Sequence, residues 1–221
     1  MDLTNPVAVR RPGGSSFRTM TTAALLLSGG ESSRFGGLPK ALMNVGETTA
    51  VRRLAEVCLS RGLDPVTVVV GPHRGPVAHE LRDLPVSLVD SELWYEGRTA
   101  SVHSGLASIP EDRDVLFWPV DHPFVAPSTM DALLAARDRD ALAVWFIPTF
   151  QGRGGHPVLW RASVRADVLD LRGDAPLRSL LPEFGVQVRR LEVGDPGVVT
   201  NVDTPEEYRA ALEEWRARGE P

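Results

Sequence analysis

One stretch limits the folds open to this chain more than any other: Leu25 to Leu42, LLLSGGESSRFGGLPKAL. An apolar run passes straight into a loop holding Gly29, Gly30, Gly36 and Gly37, as a chain does when it leaves a buried strand and its backbone must come close to something. Glycines carry no side chains to keep a ligand off, so successive N–H groups can point at an anion, while Arg34 and Lys40 add charge and directional donors. The chemistry this favours is phosphate binding. Lys40 gains weight from the rest of the chain, because 24 residues are Lys or Arg and it is the single lysine among them. A compact ammonium and a flat guanidinium are not interchangeable, so its position in this loop reads as a phosphate contact, against the plainer reading of a solvated turn. The spacing matches neither the Walker pattern, which needs Gly-Lys-Ser/Thr, nor G-x-G-x-x-G. Both a P-loop NTPase and a dinucleotide-binding oxidoreductase are therefore disfavoured.

A strand that empties into such a loop is the usual opening of an α/β sheet, and the chain after Thr22 continues the pattern. Strands are expected over 23–27, 66–70, 85–89, 114–120, 141–147 and 186–193. Helices are expected over 48–61, 76–82, from about 98, over 128–137 with Ser128 as cap, and over 162–171, 176–181 and 205–218. Val66 to Val70 is a continuous run ending in Gly71-Pro72, as in a strand buried on both faces. The expectation is a three-layer α/β/α, Rossmann-like fold with a mostly parallel sheet, in one domain over residues 20–221. Residues 1–19, rich in Pro, Gly, Ser and Arg, read as a disordered tail, with Met20 close enough to the strand to be an alternative start.

Composition narrows the partners. A net charge of −5 without a basic stripe argues against nucleic acid and anionic membranes. Apolar runs fall short of the roughly 20 residues a membrane span needs, and the one following Arg18 is too short for a secretory signal. The single cysteine, Cys58, leaves no disulfide framework and points to a reducing cytoplasm. An acidic chain that holds a polyanion must do so with local positive groups and a divalent metal.

In open α/β sheets, ligands bind at the carboxyl ends of strands, which singles out two carboxylates. Asp121 closes the run LFWPVDHP and Asp203 follows VVTNV. A pair of strand-end carboxylates suits Mg²⁺, which takes one or two protein carboxylates and completes its shell with phosphate oxygens and water. Asp203 has a competing structural reading, since Thr204-Pro205-Glu206-Glu207 is a capping box with Pro at the first helical position. His122 and His156 read as ligands, acid/base groups or satisfied structural residues. Trp94 and Gly97 form a pocket wall or core cover, and Gly173-Asp174 with Arg178 a helix start or a ligand contact. Neither a nucleophile elbow nor H-E-x-x-H is present.

These segments together carry a resemblance. L-S-G-G-E-S-S-R-F-G-G-L-P-K resembles the signature loop of nucleotidyltransferases that couple a nucleoside triphosphate to a phosphorylated acceptor. Trp94-x-x-Gly97-x-x-x-Ser101-x-x-x-Gly105, the V-D-H-P at Asp121, Gly155-His156-Pro157, Gly173-Asp174 with Arg178, and N-V-D-T-P-E-E-Y are similar to the molybdenum cofactor branch, and within it to the molybdopterin cytidylyltransferases. The resemblance spans residues 22–215. It implies the nucleotide-diphospho-sugar transferase type of fold and Mg²⁺-dependent transfer of CMP from CTP to a phosphorylated small molecule, molybdopterin, with release of pyrophosphate. Arg34, Lys40 and Asp121 would be catalytic. Leu27, Ser28, Gly29, Gly30, Ser32, Arg34, Gly36, Lys40, Gly71, Ser101 and Gly105 would bind the nucleotide. Trp94, Gly155, His156, Asp174 and Arg178 would face the acceptor, and Asp121 and Asp203 would hold the metal. Ser28-Gly29-Gly30 is closer to the Ala-Gly-Gly of the guanylyl branch, so GTP is the alternative donor. Transfer to a sugar or alcohol phosphate, and a non-catalytic nucleotide-binding regulator, are the rival readings.

Overall fold

The computed structural model describes residues 21–30, 35, 39–172 and 175–219. The expected tail, Met20 and the site candidates Ser32, Arg34, Gly36 and Asp174 lie outside them.

β1 (Thr22–Ser28) is buried along its whole length, because it pairs in parallel on both sides. Its side chains alternate between two cores. Ala24 and Leu26 face one that includes Val51, Leu54 and Cys58 of α1 (Ala50–Ser60). Ala23, Leu25 and Leu27 face the other. Between these two elements a small hairpin, β2 (Asn44–Val45) and β3 (Thr48–Thr49), stands apart from the main sheet. Thr49 caps α1, its hydroxyl accepting the Arg52 N–H at 3.4 Å, which places the helix start two residues after the expected one. β4 (Val66–Val70) lies beside β1 and is followed by α2 (Arg74–Glu80) and β5 (Ser87–Asp90).

α3 (Arg98–Leu106) supplies Val102 and Leu106 to the second core. β6 (Asp114–Pro119) takes the other side of β1. α4 (Pro127–Arg139) begins with Pro127 in the first turn after Ala126, so Ser128 is inside the helix and is not its cap. The amide at that end is served from far away in sequence: Asp195 Oδ2 accepts both Ala126 N–H and Thr129 Oγ1–H at 2.8 Å. β7 (Trp145–Phe150) starts later than the expected 141–147, because the Asp140 carboxylate accepts the N–H groups of Leu142 and Ala143 and holds those residues in a turn.

β8 (Arg153–Gly154) folds back on β7, and β9 (Val158–Trp160) runs antiparallel to both β6 and β7. α5 (Arg165–Asp170) and the single turn α6 (Leu181–Phe184) precede β10 (Val188–Glu192), which pairs in parallel with β7. α7 (Pro205–Ala217) closes the described chain with the expected capping box on Thr204 and Glu207. The sheet runs β5-β4-β1-β6-β9-β7-β10, mostly parallel, with helices packed on both faces. Among the described residues no helix is long and apolar enough to cross a membrane.

Candidate functional site

The carboxyl ends of β1 and β6 lie side by side, since Val120 N–H donates to Leu27 O at 3.1 Å. That contact sets the chain leaving β6 beside the end of β1, where Asp121 follows. A second tether, Val202 N–H to Asp121 O at 2.9 Å, brings the segment before α7 to the same place. Asp203 then meets Lys40, whose Nζ donates to Asp203 Oδ1 at 2.5 Å. Around these groups is a cavity of about 370 Å³ lined by Ser28, Gly29, Gly30, Lys40, Arg98, Asp121 and Asp203, among others.

Asp121 is buried, and its two oxygens are treated unequally. Oδ2 accepts Arg98 Nη2–H at 3.1 Å. Oδ1 is buried and accepts no hydrogen bond, and His122 Nε2 lies 3.8 Å from it. A buried carboxylate oxygen without a donor is costly unless a cation meets it. The residues therefore fit a divalent cation with Asp121 as its first protein ligand and Asp203 as the second. Among the described residues no cluster of three or more His, Cys, Asp or Glu could hold a metal unaided, so such a cation would complete its shell with substrate oxygens and water.

Beyond Arg98 opens a second cavity, of about 650 Å³, whose lining includes Phe117, His122, Trp145, Arg153, His156, Arg178 and Arg190. Among the described residues no carboxylate lines it. The rings of His122 and His156 lie 4.7 Å apart, and Phe117 meets His156 edge-on at 5.6 Å. Burial pushes the pKa of His122 down, with the Asp121 charge opposing it. Burial, with His122 and Arg98 adding to it, holds His156 well below the ordinary imidazole value. Nδ1 of each ring is buried and has no hydrogen-bond partner.

Leu27, Ser28, Gly29, Gly30, Lys40, Ser101, Asp121 and Asp203 all line the first cavity. Trp94, expected on the acceptor side, lines this cavity as well, not the second. Gly155, His156 and Arg178 line the second. Gly71 and Gly105 line neither, and their smallness serves packing. A Cβ on Gly71 would lie 2.3 Å from Gly29 O, and one on Gly105 would lie 2.2 Å from Leu25 Cδ1 and 2.6 Å from Val69 Cγ2, so α3 could not seat against β1 and β4. Sequence reasoning passed over His73 and Arg98, which line the first cavity, and Arg153 and Arg190, which line the second. His73 follows the end of β4 and Arg98 adjoins Gly97 in a segment already marked, which are usable signals; Arg190 lies within a strand and offers none.

A family profile, the MobA-like NTP transferase domain, matches residues 24–190. The curated relatives include nicotine blue oxidoreductase of Paenarthrobacter nicotinovorans, 28% identical over 84% of this chain and 94% of that protein. A molybdenum cofactor guanylyltransferase of Rhodopseudomonas palustris is 32% identical over 66% of this chain and 68% of its own length. Among solved structures, a nucleotidyl transferase from Methanothermobacter thermautotroptrophicus superposes with a TM-score of 0.75 at 22% identity, over 90% of this chain and 99% of that one. A Mycobacterium tuberculosis H37Rv protein solved in complex with manganese superposes with a TM-score of 0.70 at 25% identity, over 88% and 100%.

Proposed function

The chain belongs to the MobA-like NTP transferase family, and from that premise we propose that it moves a nucleoside monophosphate from an NTP to a phosphorylated acceptor of the molybdopterin class, in a single domain over residues 20–221. The observation that carries this reading is the meeting of the glycine loop, Lys40, Asp121 and Asp203 around one cavity, with an arginine-rimmed cavity opening beside it. The backbone of Ser28 to Gly30 and the Lys40 ammonium would cradle the triphosphate, with Arg34, Ser32 and Gly36 assigned from the loop sequence. Ser101 and Trp94 would line the nucleoside. Gly155, His156 and Arg178 would face the acceptor, as Asp174 would by its place in the sequence. Asp121 and Asp203 would hold Mg²⁺, which when bound neutralises charge on the triphosphate.

An oxygen of the acceptor phosphate attacks the α-phosphorus. The new P–O bond forms as the bond from that phosphorus to the bridging α,β-oxygen breaks, and the electron pair leaves with pyrophosphate. A phosphate monoester is largely ionised near neutral pH, with a second pKa of about 6, so no general base is needed. Positioning and charge neutralisation supply the rate enhancement.

The motif resemblance carries CTP as the donor. GTP is the second reading, supported by Ser28-Gly29-Gly30 and by the guanylyltransferase names of several relatives. Pyrophosphate release with molybdopterin, Mg²⁺ and either CTP or GTP tests both, with a sugar 1-phosphate as the control acceptor. Release with CTP alone supports the first reading and release with GTP alone the second. No pyrophosphate with either nucleotide would overturn the transferase reading.

A further inference from the structure

Arg98 is the residue at which the two cavities meet. Among the described residues it alone lines both. It occupies the first position of α3, directly after Gly97, where a cation opposes the positive end of the helix dipole and needs a compensating partner. That partner is Asp121, reached through one hydrogen bond, Nη2–H to Oδ2 at 3.1 Å. The Arg98 side chain is 56% exposed and so has open space around it, while that of Asp121 is 12% exposed.

On the assignment proposed above, Asp121 is also the carboxylate that a divalent cation takes. We propose that Arg98 exchanges partners during the reaction cycle. It neutralises Asp121 in the resting protein, and once a cation occupies Asp121 it turns to the phosphate of the acceptor in the second cavity. Two considerations favour an exchange of this kind. A guanidinium beside a carboxylate that now carries a metal is repelled by a like charge. Among the described residues the second cavity is lined by Arg153, Arg178 and Arg190 and by no carboxylate, a setting that favours a ligand anion, and the planar fork of a guanidinium suits a phosphate. The acceptor phosphate is thereby held at the boundary with the nucleotide cavity, where its oxygen must attack.

The exchange makes Arg98 a competitor of the metal and a partner of the acceptor, so deleting it should move the two affinities in opposite directions. Mn²⁺ binding to the full chain is read by electron paramagnetic resonance without nucleotide, and binding of inorganic phosphate by calorimetry with Mn²⁺ saturating. Arg98→Ala should bind Mn²⁺ about two- to fivefold more tightly, the scale of a partly exposed ion pair, and bind phosphate more weakly than the wild type. Arg98→Gln should repeat both shifts if the alanine variant melts early. Asp121→Asn separates this inference from the reading beneath it. Loss of Mn²⁺ binding in Asp121→Asn with unchanged Mn²⁺ affinity in both Arg98 variants overturns the Arg98 inference alone. Wild-type Mn²⁺ affinity in Asp121→Asn overturns the metal assignment and this inference with it. Unchanged phosphate binding in the Arg98 variants overturns the passage to the acceptor.

Discussion

Lys40→Met removes the one ammonium of the chain while keeping most of the stem that carries it. The effect divides into two parts of different size. In the resting protein Nζ donates to Asp203 Oδ1 at 2.5 Å and lies 5.7 Å from the centre of the Phe35 ring. The side chains of the pair are 17% and 39% exposed, and Asp203 keeps a second donor, Asn201 Nδ2–H on Oδ2 at 2.5 Å. A pair this open to water contributes about 1 kcal/mol or less. In a chain of this size that lowers the melting temperature by about 2–4 °C. Turnover is a different matter, because on the proposed assignment the ammonium faces a cavity where charge builds on transferring phosphate oxygens. Loss of one preorganised donor at such a site typically costs about 10²–10³ in rate, or roughly 2.7–4 kcal/mol. The expected result is a protein that melts almost normally and turns over two to three decades more slowly in a pyrophosphate-release assay. Turnover within tenfold of wild type, with the melting curve intact, would sink the phosphate role of Lys40.

Gly105→Val should cost about 1–3 kcal/mol, because the added carbons enter the space of Leu25 and Val69; an unaltered denaturant midpoint would refute the packing role given to this glycine. Stability should also fall on acidification through His156. Its folded pKa is depressed by burial, then by His122 and Arg98, so above the unfolded value of about 6.5 the ring is neutral in both states and carries no penalty. Below that pH the unfolded ring takes up a proton that the folded ring refuses, and stability drops by up to about 1.4 kcal/mol per pH unit until the folded pKa is reached. Denaturant midpoints from pH 8 to pH 5 should therefore decline less steeply in His156→Gln than in wild type, and equal slopes would refute the assignment.

Local chemistry and hydrophobic period made much of the sheet legible in the sequence. Thr204-Pro205-Glu206-Glu207 is a complete capping box within four residues, and it forms as read. The burial of β1 on both faces follows from TAALLLS. What escaped was set by contacts remote in sequence. Ser128 is the best local cap before α4, yet Asp195 serves that helix end from 66 residues beyond Thr129. Trp94 lines the first cavity because the segment after β5 stays tied to the end of β4, where Ser91 N–H donates to Val70 O at 2.9 Å. Arg98 carries its meaning only from its position between two cavities that no short motif encodes. For Gly71 and Gly105 the sequence marked the right residues, but the sheet decides that their lack of a side chain serves the protein's own packing.

The arginines explain how an acidic chain offers a site for a polyanion. Several are paired with carboxylates away from the two cavities. Arg52 forms a forked pair with Asp83 at 2.7 and 2.8 Å, Arg61 reaches both oxygens of Asp131, and Arg137 meets the buried Asp114 at 2.6 Å. The second cavity, by contrast, gathers Arg98, Arg153, Arg178 and Arg190 with no lining carboxylate among the described residues. In the first cavity the balance is internal. Lys40 is paired with Asp203 and Arg98 with Asp121, so among the described residues these two pairs set two cations against two anions. On the proposed assignment, a triphosphate arriving alone would take Lys40 and strip Asp203 of its ion pair, and a metal arriving alone would take Asp121 and displace Arg98. Arriving together, each compensates the charge the other exposes. Nucleotide and metal binding are then coupled with the same free energy in either direction, and the origin of that coupling is the pairing of each strand-end aspartate with a cation that the substrates need.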